Sequence, residues 1–322
     1  METAAVSDQT IHVMTVDTEF STHPGEVGLT GRLGGEEFGV TRLADICRRH
    51  GVRATFFVDV CNTQGERERL MREAGLRLRE AGHDLQLHTH PEWAHDPTRS
   101  RMCEYELDEQ VGILTQSRAR FERWFGVSPV AYRAGDWSAN DHTLAALRAA
   151  AIPVDSSLFF GWPPCELTNP EGASNRPRRC GDVLELPPTI FKGRGPGRPY
   201  RLLSTDGQPY GEVAAVVRRL TAGGSPVLVS VYHSFSFLGW NRRRTRYWVE
   251  RNDVRKFERF VEAIARDDRA EHLTVRELYE RYRREPAFLL ERPNGVPESS
   301  VRFVVPKLLE RASSLARRWV SP

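Results

Sequence analysis

The chain predicts an α/β fold with a mostly parallel sheet, arranged either as a doubly wound sheet or as a barrel. Short β-rich runs alternate with helical apolar stripes along most of its length. The unusual polar residues collect at the ends of those runs, where parallel α/β folds keep their sites. The chain has 322 residues, 39% hydrophobic and 28% charged, enough for a sizeable core in one large domain or two smaller ones.

Taken in order, the strand candidates are IHVMTVD (11–17), ATFFVDV (54–60), DLQLHTH (84–90), AYRAG (131–135), PVDSSL (153–158), VLELPP (183–188), VLVSVYHSF (227–235) and HLTV (272–275). Between them, Phe38, Val40, Leu43, Ile46 and Cys47 recur at helical spacing, as do Leu107, Val111, Leu114, Phe121 and Trp124. Leu144, Leu147 and Ala151 continue the pattern, and Val254, Phe257, Phe260, Val261 and Ile264 repeat it. Thr274 followed by Glu277 reads as a capping box for RELYERYRR. Residues 160–182, rich in Pro, Asn, Gly and Arg, read as a long insertion loop, and 192–210 as another. The final stretch VRFVVPKLLERASSLARRWV reads as an amphipathic helix, first as a packing or homo-oligomer helix and second as a membrane-surface one.

Several classes fall away. A net charge of +3 gives no argument for nucleic acid. Lysine occurs only at Lys192, Lys256 and Lys307, so the basic side is almost all arginine. Five widely spaced cysteines without a CxxC fit a reducing compartment better than a disulfide framework. The start lacks the basic-then-apolar pattern of a secretory signal, and no apolar run reaches the roughly 18–20 residues that span a bilayer. The expectation is a cytoplasmic protein with no integral membrane segment.

Four strand ends carry the chemistry. "TVDTEF" places Asp17 and Glu19 at i and i+2, on one side of an extended backbone, where two carboxylates repel unless a cation, proton or arginine intervenes. "LHTHPEW" places His88 and His90 in the same relation. If Pro91 opens a helical turn there, Glu92 can approach the same point as His88. Two imidazoles and a carboxylate suit Zn²⁺ or a similar divalent ion. "YRAGDWSAN" offers Arg133, whose planar fork holds a carboxylate, and "VSVYHSF" offers His233, which titrates near neutrality.

The ordered set "TVDTEF", "GVRATFFV", "AGHDLQLHTHPEW", "YRAGDWSAN", "IPVDSS" and "SVYHSF" resembles the polysaccharide deacetylase (NodB-homology, carbohydrate esterase 4) family from about residue 10 to about 282. The resemblance implies a distorted (β/α) barrel over residues 1–285, with a C-terminal extension over 286–322. It also implies a divalent metal, most simply zinc (with cobalt, nickel or manganese as alternatives), and removal of an acyl group from an amino sugar. By the same resemblance Asp17 is the base, Arg133 its orienter, His233 the general acid, and Glu19 and His88 metal ligands. Asp17 and Glu19 are split by Thr18, as in a divergent D-x-E branch of the family. The family's second histidine lies four residues after the first; here Glu92 holds that place and His90 is extra, so either completes the set. The proline usual after the arginine motif is missing, with Gly135 and Asp136 nearby instead.

The implied reaction is metal-assisted amide hydrolysis on a carbohydrate substrate, an intracellular amino-sugar precursor by the lack of an export signal. Trp93, Asp136, Trp137 and Ser234 are candidate substrate contacts, and Trp162 and Trp240 also follow strand ends. The run Arg242, Arg243, Arg244 and Arg246 reads as a solvated loop before an anion site. Two competitors remain. A facial-triad Fe(II) oxygenase uses HxD on an all-β scaffold, which this chain lacks. A non-catalytic sugar- or metal-binding relative would not need a base, its orienter and an acid together.

Overall fold

The computed structural model describes residues 9–20, 26–62, 65–194, 198–243, 245–310 and 312. Its centre is a nine-stranded sheet: β1 (Thr10–Thr18), β2 (Thr55–Asp59), β3 (Asp84–Thr89), β4 (Ala131–Ala134), β5 (Val154–Asp155), β6 (Arg178–Cys180), β7 (Val183–Glu185), β8 (Val227–His233) and β9 (Ala270–His272). The strands run in the order β8-β1-β2-β3-β4-β5-β7-β6, and β9 also pairs with β1. Every pairing is parallel except β6 with β7. The sheet curls into a distorted barrel. Two short segments after β7 dock on β8 at its edge of the sheet: Thr189 N–H donates to Val229 O (3.0 Å), and Val231 N–H to Leu203 O (3.1 Å).

Parallel strands with both faces covered are buried throughout, and all nine residues of β1 are. Side chains alternate between the faces with period two. Met14 and Val16 face the outer layer, where they pack with α1 (Val40–Arg49), α2 (Gly65–Glu80), α3 (Leu107–Phe125), α4 (Asp141–Ala149), α5 (Tyr210–Ala222) and α6 (Arg251–Ala265). Ile11 and Val13 face inward and form an apolar plug with Phe57, Val227, Val229 and residues of α7 (Val275–Arg284). Continuing the inward parity upward from Ile11 and Val13 gives Thr15 and then Asp17. The same parity gives Asp59 above Phe57, Arg133 above Ala131 and His233 above Val231. One alternation therefore builds a dry floor and a polar rim.

The expected strands are present except the last, which lies at Ala270–His272 rather than 272–275 because Thr274 already caps the next helix. The expected helices around the four apolar stripes and after Thr274, whose side chain caps Glu277 N–H, are present too. The segments read as loops need correction. Residues 160–182 end in β6, paired antiparallel with β7, and 192–210 contain Tyr200–Leu202, paired with Ile190–Lys192. These strands are three residues long and rich in Arg and Tyr, too short to show an alternation. Helices α2 and α5 were also not foreseen. Of the expected C-terminal helix, residues 304–310 are helical, with Lys307 buried on Glu212 (3.0 Å) and Val305, Leu308 and Leu309 exposed; 313–320 lie outside the described residues. No helix among the described residues is long and apolar enough to cross a membrane.

Candidate active site

Strand register sets the site. Asp17 lies opposite His233 on one side and Phe57 on the other; Asp59 lies opposite His88, and His88 opposite Arg133. Neighbouring strands thus present these side chains at nearly one level. Of these, Asp17, His88 and His233 line a cleft of about 490 Å³ together with Glu19, His90, Glu92, Asp136 and Trp137.

Arg133 is fully buried, and its guanidinium is fixed on every side. Nη1 donates to Asp17 Oδ1 (2.6 Å) and Thr15 Oγ1 (3.0 Å), Nε to Ser156 O (3.1 Å) and Nη2 to Ser156 Oγ (3.0 Å). The rings of Phe57 and Trp137 lie 4.1 and 4.8 Å from its centre. A buried charge is tolerated when its donors are satisfied and its partner is near. The result is a fixed Asp17 carboxylate, whose Oδ2 lies 3.8 Å from His233 Nε2.

A second cluster sits beside it. The ligand atoms of Glu19, His88 and His90 all lie within 4.8 Å of one another. His88 Nδ1 donates to the Arg133 carbonyl (2.7 Å), which fixes the tautomer and leaves the Nε2 lone pair facing Glu19 Oε2 at 3.1 Å. His90 Nε2 bonds the same carboxylate oxygen. Burial works to raise the Glu19 carboxyl, but His90 and His88 hold it well below the usual range. Burial likewise works to lower His90, yet Glu19, Glu92 and Asp59 push it well above its ordinary value. Two imidazoles and a carboxylate converging on one point, with tautomers set from behind, fit a divalent cation.

Glu92 stands behind this cluster, in the short 3₁₀ turn Pro91–Trp93, with Oε1 3.5 Å from His90 Nδ1. His90, not Glu92, is therefore the neighbour of His88 that reaches Glu19. Trp93 is 41% exposed, lies against Arg67 and is not among the residues lining the cleft. Ser234 is buried, and its hydroxyl donates to Glu19 O (2.7 Å), so it fixes the backbone that carries Glu19. Trp162 lines the cleft and donates to Asp136 O (2.8 Å). Asp136 and Trp137 have φ of 52° and 58°, a left-handed pair of non-glycine residues at the rim.

Sequence reasoning missed several members. Asp59 Oδ1 accepts from the N–H of Cys61 (2.9 Å) and His90 (3.3 Å), and Oδ2 from Asn62 (2.6 Å), which anchors the turn carrying His90. Its inward parity with Phe57 was the available signal. Gly135 leaves room for His90, since a Cβ there would lie 2.7 Å from the imidazole Cε1. Phe159, Arg198 and Leu202 reach the cleft from the long loops, and no sequence signal marked them.

Residues 26–154 match the family model described as polysaccharide deacetylase. Over that stretch the chain is similar to the polysaccharide deacetylase family. The matched residues include His88, His90, Glu92 and Arg133; Asp17, Glu19 and His233 lie outside them. The crystal structure of a candidate polysaccharide deacetylase from Mycobacterium smegmatis aligns over 88% of this chain and 94% of its own, at 18% identity and a TM-score of 0.59, and shows the shared fold. The peptidoglycan deacetylase PdaC from Bacillus subtilis aligns over 87% and 94% at 12% identity and a TM-score of 0.43. A family 4 carbohydrate esterase from Streptomyces lividans aligns over 82% and 91% at 10% identity and 0.45. The comparison with curated proteins found no match.

Proposed function

We propose that the chain is a metal-dependent hydrolase that removes an acyl group, acetyl first, from the nitrogen of an amino-sugar substrate. The observation that carries this reading is Asp17, fixed by Arg133 and facing His233, in the same cleft as the Glu19–His88–His90 cluster. A divalent cation on that cluster, zinc by its ligand set or else cobalt, nickel or manganese, would supply Lewis acidity toward the acyl carbonyl and a water of lowered pKa.

Asp17 accepts the proton of the attacking water, and its pairing with Arg133 keeps the carboxylate from turning away. The backbone N–H groups of the Gly135–Trp137 turn stand at the rim, where the oxyanion develops. His233, 29% exposed and stacked on Phe235, gives its proton to the departing amine. Trp137, Trp162 and Phe159 give the cleft an aromatic wall against which a sugar would pack. The substrate we favour is an intracellular amino-sugar precursor.

The test is acetate release from N-acetylated sugars by metal-reconstituted protein. Asp17→Asn and His88→Ala should each lose on the order of 10²–10⁴ of the rate. Full activity in both variants removes the assignment. Sugar or metal binding without acetate release indicates a non-catalytic relative, and turnover only of other amides indicates a different hydrolase.

A further inference from the structure

The catalytic cleft is one of two cavities that meet at His233. The second, about 460 Å³, shares Phe159, Arg198, Leu202 and His233 with the first. The reaction above uses none of its other walls. Gln208 is among them and is only 7% exposed. Its Nε2 donates to Leu202 O (3.0 Å) and Ser204 O (2.9 Å), which fixes the amide, because a flip would set oxygen against two carbonyls. Its Oε1 has no partner among the described residues. A buried amide oxygen left without a donor is costly, and a ligand hydroxyl or N–H in this cavity would satisfy it.

The charge of the lining is a second, separate observation. Arg198, Arg201 and Lys307 line it with Asp206, and Lys307 is committed to Glu212 at 3.0 Å. The Arg198 guanidinium lies 3.3 Å from the Trp162 ring centre, at the border of the two cavities. Arg242, Arg243 and Arg246, the run in which the sequence offered an anion site, line neither cavity.

We propose that the substrate continues past His233 into the second cavity, and that this arm takes a hydroxylated group bearing a phosphate or a carboxylate. Gln208 Oε1 accepts from a hydroxyl there, and the anion lies against Arg198 and Arg201. The proposal rests on the amino-sugar hydrolase reading and narrows its substrate to anionic amino sugars.

Calorimetric titration of the Asp17→Asn protein with N-acetylglucosamine, N-acetylglucosamine 1-phosphate and N-acetylmuramic acid tests it without turnover. At least one anionic sugar should bind at least about tenfold tighter than the neutral one. That advantage should shrink with added salt and vanish in Arg198→Glu, a change at an exposed position that leaves the core intact. Gln208→Glu, which sets a second carboxylate beside the anion, should abolish it too. The phosphate and carboxylate probes separate the two anion types. Equal affinity for all three sugars, or an advantage untouched by Arg198→Glu, overturns the subsite and leaves the hydrolase reading standing. Anionic preference without acetate release by the wild type does the reverse. Binding of none of the three overturns both.

Discussion

Gly135 sets how closely His90 can approach the end of β4. A Cβ at that position would lie 2.6 Å from the Thr89 carbonyl oxygen and 2.7 Å from the His90 ring, so one methyl group would push the imidazole off its place. Gly135→Ala should therefore weaken divalent-metal affinity by roughly 10–100-fold, the usual cost of disturbing a ligand's support, as read by competition with a chromogenic chelator. Unchanged affinity would show that His90 does not need this space. At this scale the sequence was most informative where two polar residues share a strand face: Asp17 with Glu19, and His88 with His90. It was least informative where one residue acts from behind. Asp59 ends an apolar strand without a motif, and choosing between His90 and Glu92 required the turn that Pro91 opens.

Strand pairing brings Asp155 of β5 opposite Glu185 of β7, both fully buried. Asp155 Oδ1 accepts from Ser157 Oγ (2.7 Å), whose oxygen accepts from Ala134 N–H (2.9 Å), and Glu185 Oε1 accepts from Leu158 N–H (3.2 Å). Burial raises both carboxyls, and the Asp155 charge raises Glu185 further, well above the ordinary range. A folded-state value above the unfolded one means that the native protein holds the extra proton. The pair's stabilising share is thus complete below the ordinary carboxylate range and is lost as pH rises through the raised value. Glu185→Gln keeps a neutral partner for Asp155 and removes one ionisation. It should flatten the fall in urea midpoint as pH rises above the ordinary carboxylate range. A slope equal to that of the wild type would show that the pair does not carry this dependence. Among elements, the long alternating strands and the Thr274 capping box were readable because each repeats a period or a spacing. Three-residue edge strands such as Arg178–Cys180 carry neither, since tertiary contacts hold them more than their own residues do.

Across the whole molecule, the curl of one parallel sheet brings the ends of β1, β3, β4 and β8 to a single cleft, while the long segments after β5 and β7 supply its outer wall. The fold and the strand-end residues were legible together, because burial parity and motif order point to the same edge. The outer wall was not, because Phe159, Arg198 and Leu202 lie in segments with no hydrophobic period, placed by contacts distant in sequence. The proposed hydrolysis depends most on Glu19, His88 and His90 forming one metal centre with Glu92 behind it. Equilibrium titration with Zn²⁺ tests this most directly. The wild type and Glu92→Gln should each bind about one ion per chain, and His88→Ala and His90→Ala should lose that ion. A His90→Ala protein that keeps its ion while Glu92→Gln loses it, or a wild type that binds none, would contradict the account.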